Sequence, residues 1–293
     1  MSNSFELPKK EQTNTYFVQN RASQDELTRL HIQDQMYNRG MGGVLREQPD
    51  PTRFQSVLDV GCGTGDWLIE AAKTYPHMTR LVGVDISKKM IQYARKQAAE
   101  ERVSDRVQFH IMDALRLLEF PDRSFDLINQ RFGVSWQRTW DWPHILQEYQ
   151  RVNTWDGIIR ITEWKSISAT DSPALTHLFT LLVTALHHAG HLFIPQSDSV
   201  THQLAPLLSQ HGLRNVQSHS STLEFRAGTS EGEHFAEDCK LAFRTLMPFF
   251  RKWNCLPNDY EMLYQQMLSE MQQLDSVVIW KMLTVWGNRT NLW

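Results

Sequence analysis

The middle of the chain alternates short apolar runs with amphipathic segments. The apolar runs are rich in β-branched residues and predict five buried strands, at residues 55–60, 80–85, 107–112, 124–130 and 158–163. The amphipathic segments predict helices after three of these strands, at residues 66–75, 87–101 and 142–152. Such an alternation is typical of a parallel sheet with helices on both faces.

The pattern changes on either side of this region. Helices are predicted at residues 23–39, 172–190 and 201–211 and within 231–274, and two further strands at 215–225 and 277–286. The expected fold is therefore α/β, Rossmann-like and doubly wound. It has a mainly parallel seven-stranded sheet and helical insertions that form a lid.

Composition narrows the choice of partners. The 293 residues carry 30 Lys and Arg against 33 Asp and Glu, a net charge of −3, so no general positive field is available to hold nucleic acid. The most apolar run, residues 178–186, is about half the length that a membrane span needs. Three cysteines without CxxC spacing indicate neither a disulfide framework nor a cysteine-rich zinc site. We expect a cytoplasmic protein with neither a nucleic-acid nor a membrane partner.

The most specific motif is Asp59-Val-Gly61-Cys-Gly63-Thr-Gly65, between the first predicted strand and the helix after it. Glycines let a ligand approach the backbone closely and permit positive φ, and the following helix N-terminus offers free N–H groups. Asp85, at the end of the next predicted strand, can accept two hydrogen bonds from a ribose diol. Together these features predict a site for an adenosine-type nucleoside.

The spacing of the turn argues against a dinucleotide. The third glycine of the dinucleotide fingerprint would fall at position 66, which is Asp66 here. Asp59, two residues before the turn, would repel a phosphate but suits a ligand with a cationic amino group.

Over residues 55–165, these motifs resemble the class I S-adenosylmethionine-dependent methyltransferases, in their small-molecule branch of methyltransferase type 11/25. The resemblance implies S-adenosylmethionine as cofactor and S-adenosylhomocysteine as product. It also implies cofactor-binding roles for each part of this ligand: Asp59, Gly61, Gly63, Gly65 and the backbone of Gln130 for the methionine part, Asp85 and Ile86 for the ribose, Asp113 and Ala114 for the adenine, and Tyr16 as a cover.

Two details refine the resemblance. Trp155-Asp156-Gly157 stands where the family usually has Pro-Gly-Gly, which affects only the geometry of a turn away from the cofactor. Residues 129–132, Asn-Gln-Arg-Phe, lack the Asn/Asp-Pro-Pro-aromatic motif of nucleic-acid and protein amide methylators, so that group is disfavoured.

The resemblance also divides the chain. It implies an N-terminal helical arm or lid at residues 1–45, a cofactor-binding core at 46–165 and a helical lid insertion at 166–210. Residues 211–293 would hold the last strands, with a second helical insertion at 230–275.

Candidates for the acceptor side are less specific. Aromatic residues near the fourth and fifth strands are expected to wall the substrate pocket, although core packing explains them equally well: Phe132, Trp136, Trp140 and Trp164. Glu163 and His177 are the candidate general bases. His187, His188 and His191 lack a carboxylate at ligand spacing, so no metal is expected.

The expected activity is transfer of the sulfonium methyl to oxygen, carbon or nitrogen of a small, largely apolar or aromatic acceptor, by a monomer or homodimer. Two alternatives stay open, because a fold does not determine its chemistry. One is a regulatory or scaffolding protein that keeps the fold, and the other is a lyase or isomerase that uses the same cofactor.

Overall fold

The computed structural model describes residues 16–18 and 23–289. One seven-stranded sheet runs through them in the order β3-β2-β1-β4-β5-β7-β6. Its strands are β1 (Ser56–Val60), β2 (Arg80–Asp85), β3 (Val107–Ile111), β4 (Phe125–Arg131), β5 (Asn153–Thr170), β6 (Leu213–Arg226) and β7 (Val277–Arg289). The helices are α1 (Gln24–Gly40), α2 (Asp66–Thr74), α3 (Lys88–Glu100), α4 (Trp142–Val152), α5 (Pro173–His188), α6 (Ser199–Gln210), α7 (Ser230–Thr245), α8 (Met247–Lys252) and α9 (Tyr260–Met271).

Strands β1 to β5 are parallel, and β7 runs antiparallel between β5 and β6. Successive residues of the central strands point to opposite faces. Val57 and Leu127 join an apolar cluster with α2 and α3, whereas their neighbours Leu58 and Ile128 join a second cluster with α4 and α6. Both faces of the sheet are therefore covered, and the predicted α/β fold with a mainly parallel seven-stranded sheet is confirmed.

The late part of the chain differs from the sequence expectation in detail. Strand β5 runs to Thr170, beyond the predicted core boundary at 165. The segment 231–274 forms three helices, α7 to α9. Helix α6 packs against β5, β6 and β7, so residues 199–210 belong to a helical layer of the sheet. Within the predicted lid insertion 166–210, the apolar residues of α6 are thus buried against the strands.

The strand order reverses between β1 and β4, where β2 and β3 lie on one side and β5 on the other. Ligands of open α/β sheets bind in the crevice at such a switch point, beyond the carboxyl ends of the strands. Helix α1 packs against α2 on the core and against α7 of the late insertion. Within the described residues, no helix combines the length and apolar character that a membrane span requires.

Candidate active site

A cavity of about 710 Å³ opens at this crevice. One part of its wall is polar and comes from the loops after β1, β2 and β3. The other part is mainly aromatic and comes from β5, β7, α5 and α7. Helix α1 contributes to the wall of both parts, so the two form a single space.

The glycine turn forms the floor of the polar part. Gly61, Gly63 and Gly65 all have positive φ, at 71°, 53° and 81°. At Gly63, which lines the cavity, an added Cβ would meet nothing within 4 Å. The turn therefore leaves a cradle beside the backbone that a side chain would fill, as a closely approaching ligand requires.

Two carboxylates at strand ends face the polar part. Asp85 Oδ1 accepts a hydrogen bond from the Ser87 backbone N–H at 2.7 Å, and Oδ2 accepts one from Gly63 at 3.3 Å. Asp113 Oδ1 accepts a hydrogen bond from the Leu115 backbone N–H at 3.0 Å. Both residues line the cavity, together with their predicted neighbours Ile86 and Ala114. Their own loops thus fix the orientation of both carboxylates.

Asp59 lies deeper, at the end of β1. It is buried, lines the cavity and accepts a hydrogen bond from Asn129 Nδ2 at 2.7 Å. Burial raises the pKa of its carboxyl to about 7, against the opposing effect of the Arg131 charge. A nearby cationic group would favour the ionised form.

Helix α1 is held over the crevice by ion pairs. Arg131, at the end of β4, contacts Asp34 Oδ1 at 2.5 Å and Asn38 Oδ1 at 3.0 Å. His31 Nδ1 lies 2.8 Å from Asp66 on α2, and this hydrogen bond raises the pKa of the His31 ring. The helix therefore closes the cavity through contacts with two separate elements of the core.

The predicted cover residue Tyr16 lies in the cavity wall. Its hydroxyl donates a hydrogen bond to Glu26 Oε1 at 2.7 Å, and the next residue, Phe17, donates its backbone N–H to Ser135 O at 2.8 Å. These contacts place the segment across the cavity between α1 and the loop after β4.

Four aromatic rings dominate the other part of the wall. The Trp280 ring lies 6.2 Å from Trp164, 5.1 Å from Phe179 and 5.7 Å from Phe235, measured between centroids. Phe132 and Trp136, also predicted as pocket residues, line the cavity, and the Trp136 ring lies beside Gly61. Of the four predicted pocket aromatics, the structure brings three to the cavity.

The fourth, Trp140, lies elsewhere. It is 61% exposed and packs against Gly190 and the Arg138 guanidinium, outside the cavity. His177 is exposed on α5 and is also absent from the wall. Neither Trp140 nor His177 therefore lines this cavity, and their roles as pocket wall and base stay predictions from the sequence.

Two predicted cofactor residues, Gln130 and Gly65, do not line the cavity. The side chain of Gln130 is buried, donates to Gln137 Oε1 at 3.0 Å and accepts from the Tyr149 hydroxyl at 2.5 Å. Gly65 caps the N-terminus of α2, and an added Cβ would lie 2.6 Å from the Phe109 ring. The role of Gly65 in this structure is thus to let the turn pack on the sheet.

Glu163 also lies outside the wall. Its Oε1 accepts a hydrogen bond from the Val134 backbone N–H at 3.2 Å, and its Oε2 has no partner among the described residues. Complete burial raises the pKa of the carboxyl to about 8, so the group is protonated at neutral pH. Glu163 is thus placed behind the cavity wall and not in it, and its role as general base stays a prediction from the sequence. Glu163 supports the loop that carries Phe132 and Val134.

The predicted histidine cluster has no metal-like arrangement. His191 is buried, its Nδ1 lies 2.9 Å from Gln137 O, and burial lowers its pKa to about 4. Across residues 16–18 and 23–289, no group of three or more His, Cys, Asp or Glu side chains is placed to hold a metal ion.

Sequence reasoning missed polar residues of the aromatic part. Arg29, Gln33 and Tyr37 lie at intervals of four on the cavity side of α1, and Asp238 faces them from α7. Their signal was the helical periodicity itself, since positions 29, 33 and 37 share one face of the predicted helix. Nothing in the sequence showed that α7 would pack opposite.

Comparisons with known proteins agree with this geometry. Residues 57–157 match the family model of a methyltransferase domain. This match agrees with a methyltransferase domain at the core of the chain. The resemblance predicted from the glycine turn and Asp85 is confirmed.

Methyltransferases of known name match this domain. The chain is 32% identical over 133 residues to the demethylmenaquinone methyltransferase of Porphyromonas gingivalis, which covers 44% of this chain and 51% of that protein. It is 37% identical over 94 residues to the aklanonic acid methyltransferase DauC of a Streptomyces species, covering 32% and 42%. The matched region thus spans about half or less of these relatives.

Solved structures share the fold over more of the chain. Phosphoethanolamine N-methyltransferase 2 of Haemonchus contortus, in complex with S-adenosyl-L-methionine, has a TM-score of 0.56 at 18% identity, over 94% of this chain and 60% of that one. The YcgJ protein of Bacillus subtilis has a TM-score of 0.54 at 18% identity, over 87% and 99%. The shared fold therefore extends beyond the matched domain.

Proposed function

We propose that this protein transfers the methyl group of S-adenosylmethionine to oxygen, carbon or nitrogen of a small, largely apolar or aromatic acceptor. The observation that carries the proposal is the single cavity, in which a glycine cradle with two strand-end carboxylates continues into an aromatic chamber. A nucleoside cofactor and an apolar acceptor would meet where the two parts join.

The residues of the polar part fit this cofactor. Asp85 would bind the ribose hydroxyls, with Ile86 beside it, and Asp113 would bind the adenine amino group, with Ala114 beside it. The cradle at Gly63 leaves room for the ligand, since no protein atom lies where its Cβ would be. The buried carboxylate of Asp59 suits the cationic amino end of the methionine part.

S-adenosylmethionine supplies a methyl carbon already activated by a positive sulfur. The protein's work is therefore to align the acceptor and to exclude water. Helix α1 and Tyr16 close the cavity, and the aromatic walls hold an apolar acceptor. Ring faces beside a cation such as a sulfonium stabilise it by roughly 0.5–2 kcal/mol.

The named relatives support a small acceptor. The Porphyromonas and Streptomyces proteins are methyltransferases of demethylmenaquinone and of aklanonic acid, by their names. The three cysteines are unpaired thiols, which supports placing the protein in a reducing cytoplasm. The expectations of a monomer or homodimer, and of neither a nucleic-acid nor a membrane partner, stay predictions from the sequence.

The test has two steps. Isothermal titration measures binding of S-adenosylmethionine and S-adenosylhomocysteine to the full chain, and mass spectrometry then searches candidate acceptors for a gain of one methyl group. Binding together with a methylated product supports the proposal. Binding with a rearranged or cleaved product would favour a lyase or isomerase, and absence of binding would leave a scaffolding protein.

A further inference from the structure

A buried polar cluster interrupts the aromatic chamber. Asp238 lies in a stripe of α7 whose other cavity-lining members are apolar or a thiol, including Phe235, Cys239 and Phe243. The residue is 5% exposed, and its partners come from α1. Arg29 Nη1 lies 3.3 Å from Asp238 Oδ1, and Gln33 Nε2 lies 3.4 Å from Oδ2. A charged group here requires a reason, because burying it is costly.

Arg29 makes its shortest ion-pair contacts with a carboxylate other than that of Asp238. Arg29 binds Glu26 through two nitrogens, Nε at 2.8 Å and Nη2 at 2.7 Å, and the Tyr16 hydroxyl donates to the same carboxylate. The contacts of Asp238 are longer than an ordinary charge-assisted hydrogen bond. Glu26 and Arg29 together are neutral, so Asp238 is a buried carboxylate in excess. Burial raises its pKa to about 6, so it is mostly ionised at neutral pH.

Tyr37 lies on α1, opposite α7, and its hydroxyl can donate a hydrogen bond where the Asp238 carboxylate can accept one. Its side chain is 2% exposed, and its ring packs 5.2 Å from Phe132 and 6.4 Å from Trp280. The phenol lines the cavity, and its hydroxyl makes no hydrogen bond to any described residue. The hydroxyl therefore offers the cavity a donor that no protein group uses, and a ligand there can accept from it.

We infer that Tyr37 and Asp238 form a subsite for a hydroxyl group of the acceptor, which is a flat aromatic molecule held against Trp280 and Phe179. A hydroxyl donates one hydrogen bond and accepts others. It can therefore donate to Asp238 and accept from Tyr37 at once. The inference rests on the proposed function, because it assigns the aromatic chamber to the acceptor.

The experiment uses two probes of nearly equal shape, 1-naphthol and 1-methylnaphthalene, which differ in a hydroxyl against a methyl group. Their binding to the full chain, loaded with S-adenosylhomocysteine, is followed by quenching of tryptophan fluorescence. The variants are Asp238→Leu, which removes the carboxylate, and Tyr37→Phe, which removes only the hydroxyl. Glu237→Gln, a change of charge at a partly exposed neighbour, is the matched control.

We expect the wild type and Glu237→Gln to bind 1-naphthol about tenfold more tightly than 1-methylnaphthalene, equivalent to one hydrogen bond to a charged group. Asp238→Leu should lose that preference while still binding 1-methylnaphthalene, and Tyr37→Phe should reduce it severalfold. The affinity for S-adenosylhomocysteine is measured for the wild type and for each variant. Binding by the wild type supports the proposed function, and an unchanged affinity of a variant shows that the variant is folded. If S-adenosylhomocysteine binds but the wild type shows no preference for the hydroxyl, or both variants retain it, the subsite is refuted. If Asp238→Leu does not fold, Tyr37→Phe alone decides.

Discussion

Replacing Glu163 by Gln should change how stability depends on pH. The carboxyl has a pKa of about 8 in the folded protein against an ordinary value of 4.5, because it is completely buried. Between these values the unfolded chain is ionised while the folded protein stays protonated. The folded protein binds more protons, so its stability falls as pH rises from about 4.5 to 8.

The magnitude follows from the size of this shift. Each pH unit within the window costs the wild type about 1.4 kcal/mol through Glu163, and pH 5 to 8 therefore costs about 4 kcal/mol. Glutamine does not titrate, so Glu163→Gln avoids this loss. The amide nitrogen takes the place of Oε2 and brings one more unpartnered donor than the protonated acid, which lowers stability by about 1–3 kcal/mol at every pH.

Urea denaturation of both proteins at pH 5, 6, 7 and 8 checks the prediction. The free energy of unfolding of Glu163→Gln minus that of the wild type should rise steadily across the series, whatever its starting value. Glu237→Gln, the same change at a partly exposed position, should show no such rise. Parallel curves for Glu163→Gln and the wild type would refute the reasoning that Glu163 is a buried neutral acid.

Three further predictions concern the polar part of the cavity and the position of Trp140. Asp85→Ala should weaken S-adenosylhomocysteine binding by about 1.5–3 kcal/mol in isothermal titration, through loss of charge-assisted hydrogen bonds. The control variant Asp105→Ala, at an exposed position, should not weaken it. Equal affinities of the wild type and Asp85→Ala would place the ribose elsewhere. Gly63→Val should abolish binding, since its side chain enters the cradle, and should also lower the thermal midpoint, because a β-branched residue is strained at the φ of 53° there. Gly65→Ala should lower the thermal midpoint because its Cβ meets the Phe109 ring at 2.6 Å. Trp140→Ala should leave the affinities for S-adenosylhomocysteine and for 1-methylnaphthalene unchanged, because the ring lies outside the cavity. A tenfold loss of either affinity would place the ring in the cavity wall.

The residues of the polar part of the cavity could be predicted from the sequence because their signals are local. The glycine turn, Asp85 and Asp113 each follow directly from a strand end, and parallel strands bring their carboxyl ends to one edge of the sheet. The fold follows from the same alternation. A short segment of sequence therefore carries both the topology and the positions of these residues.

The residues of the aromatic part of the cavity could not be predicted in this way. Arg29 and Asp238 are 209 residues apart in sequence and meet only because α1 packs against α7. Helical periodicity shows which face of each helix is apolar, but not which helix it will face. The positions of Trp140 and Glu163 could not be predicted from the sequence either. Both lie close in sequence to cavity residues, yet one points to solvent and the other into the core.

A crystal structure of the chain with S-adenosylhomocysteine tests the central claim most directly. We predict the ribose hydroxyls on Asp85, the adenine beside Asp113 and the sulfur over the Gly61–Gly63 turn, facing the aromatic chamber. Density for the ligand in another cleft, with this cavity unchanged, would contradict the account.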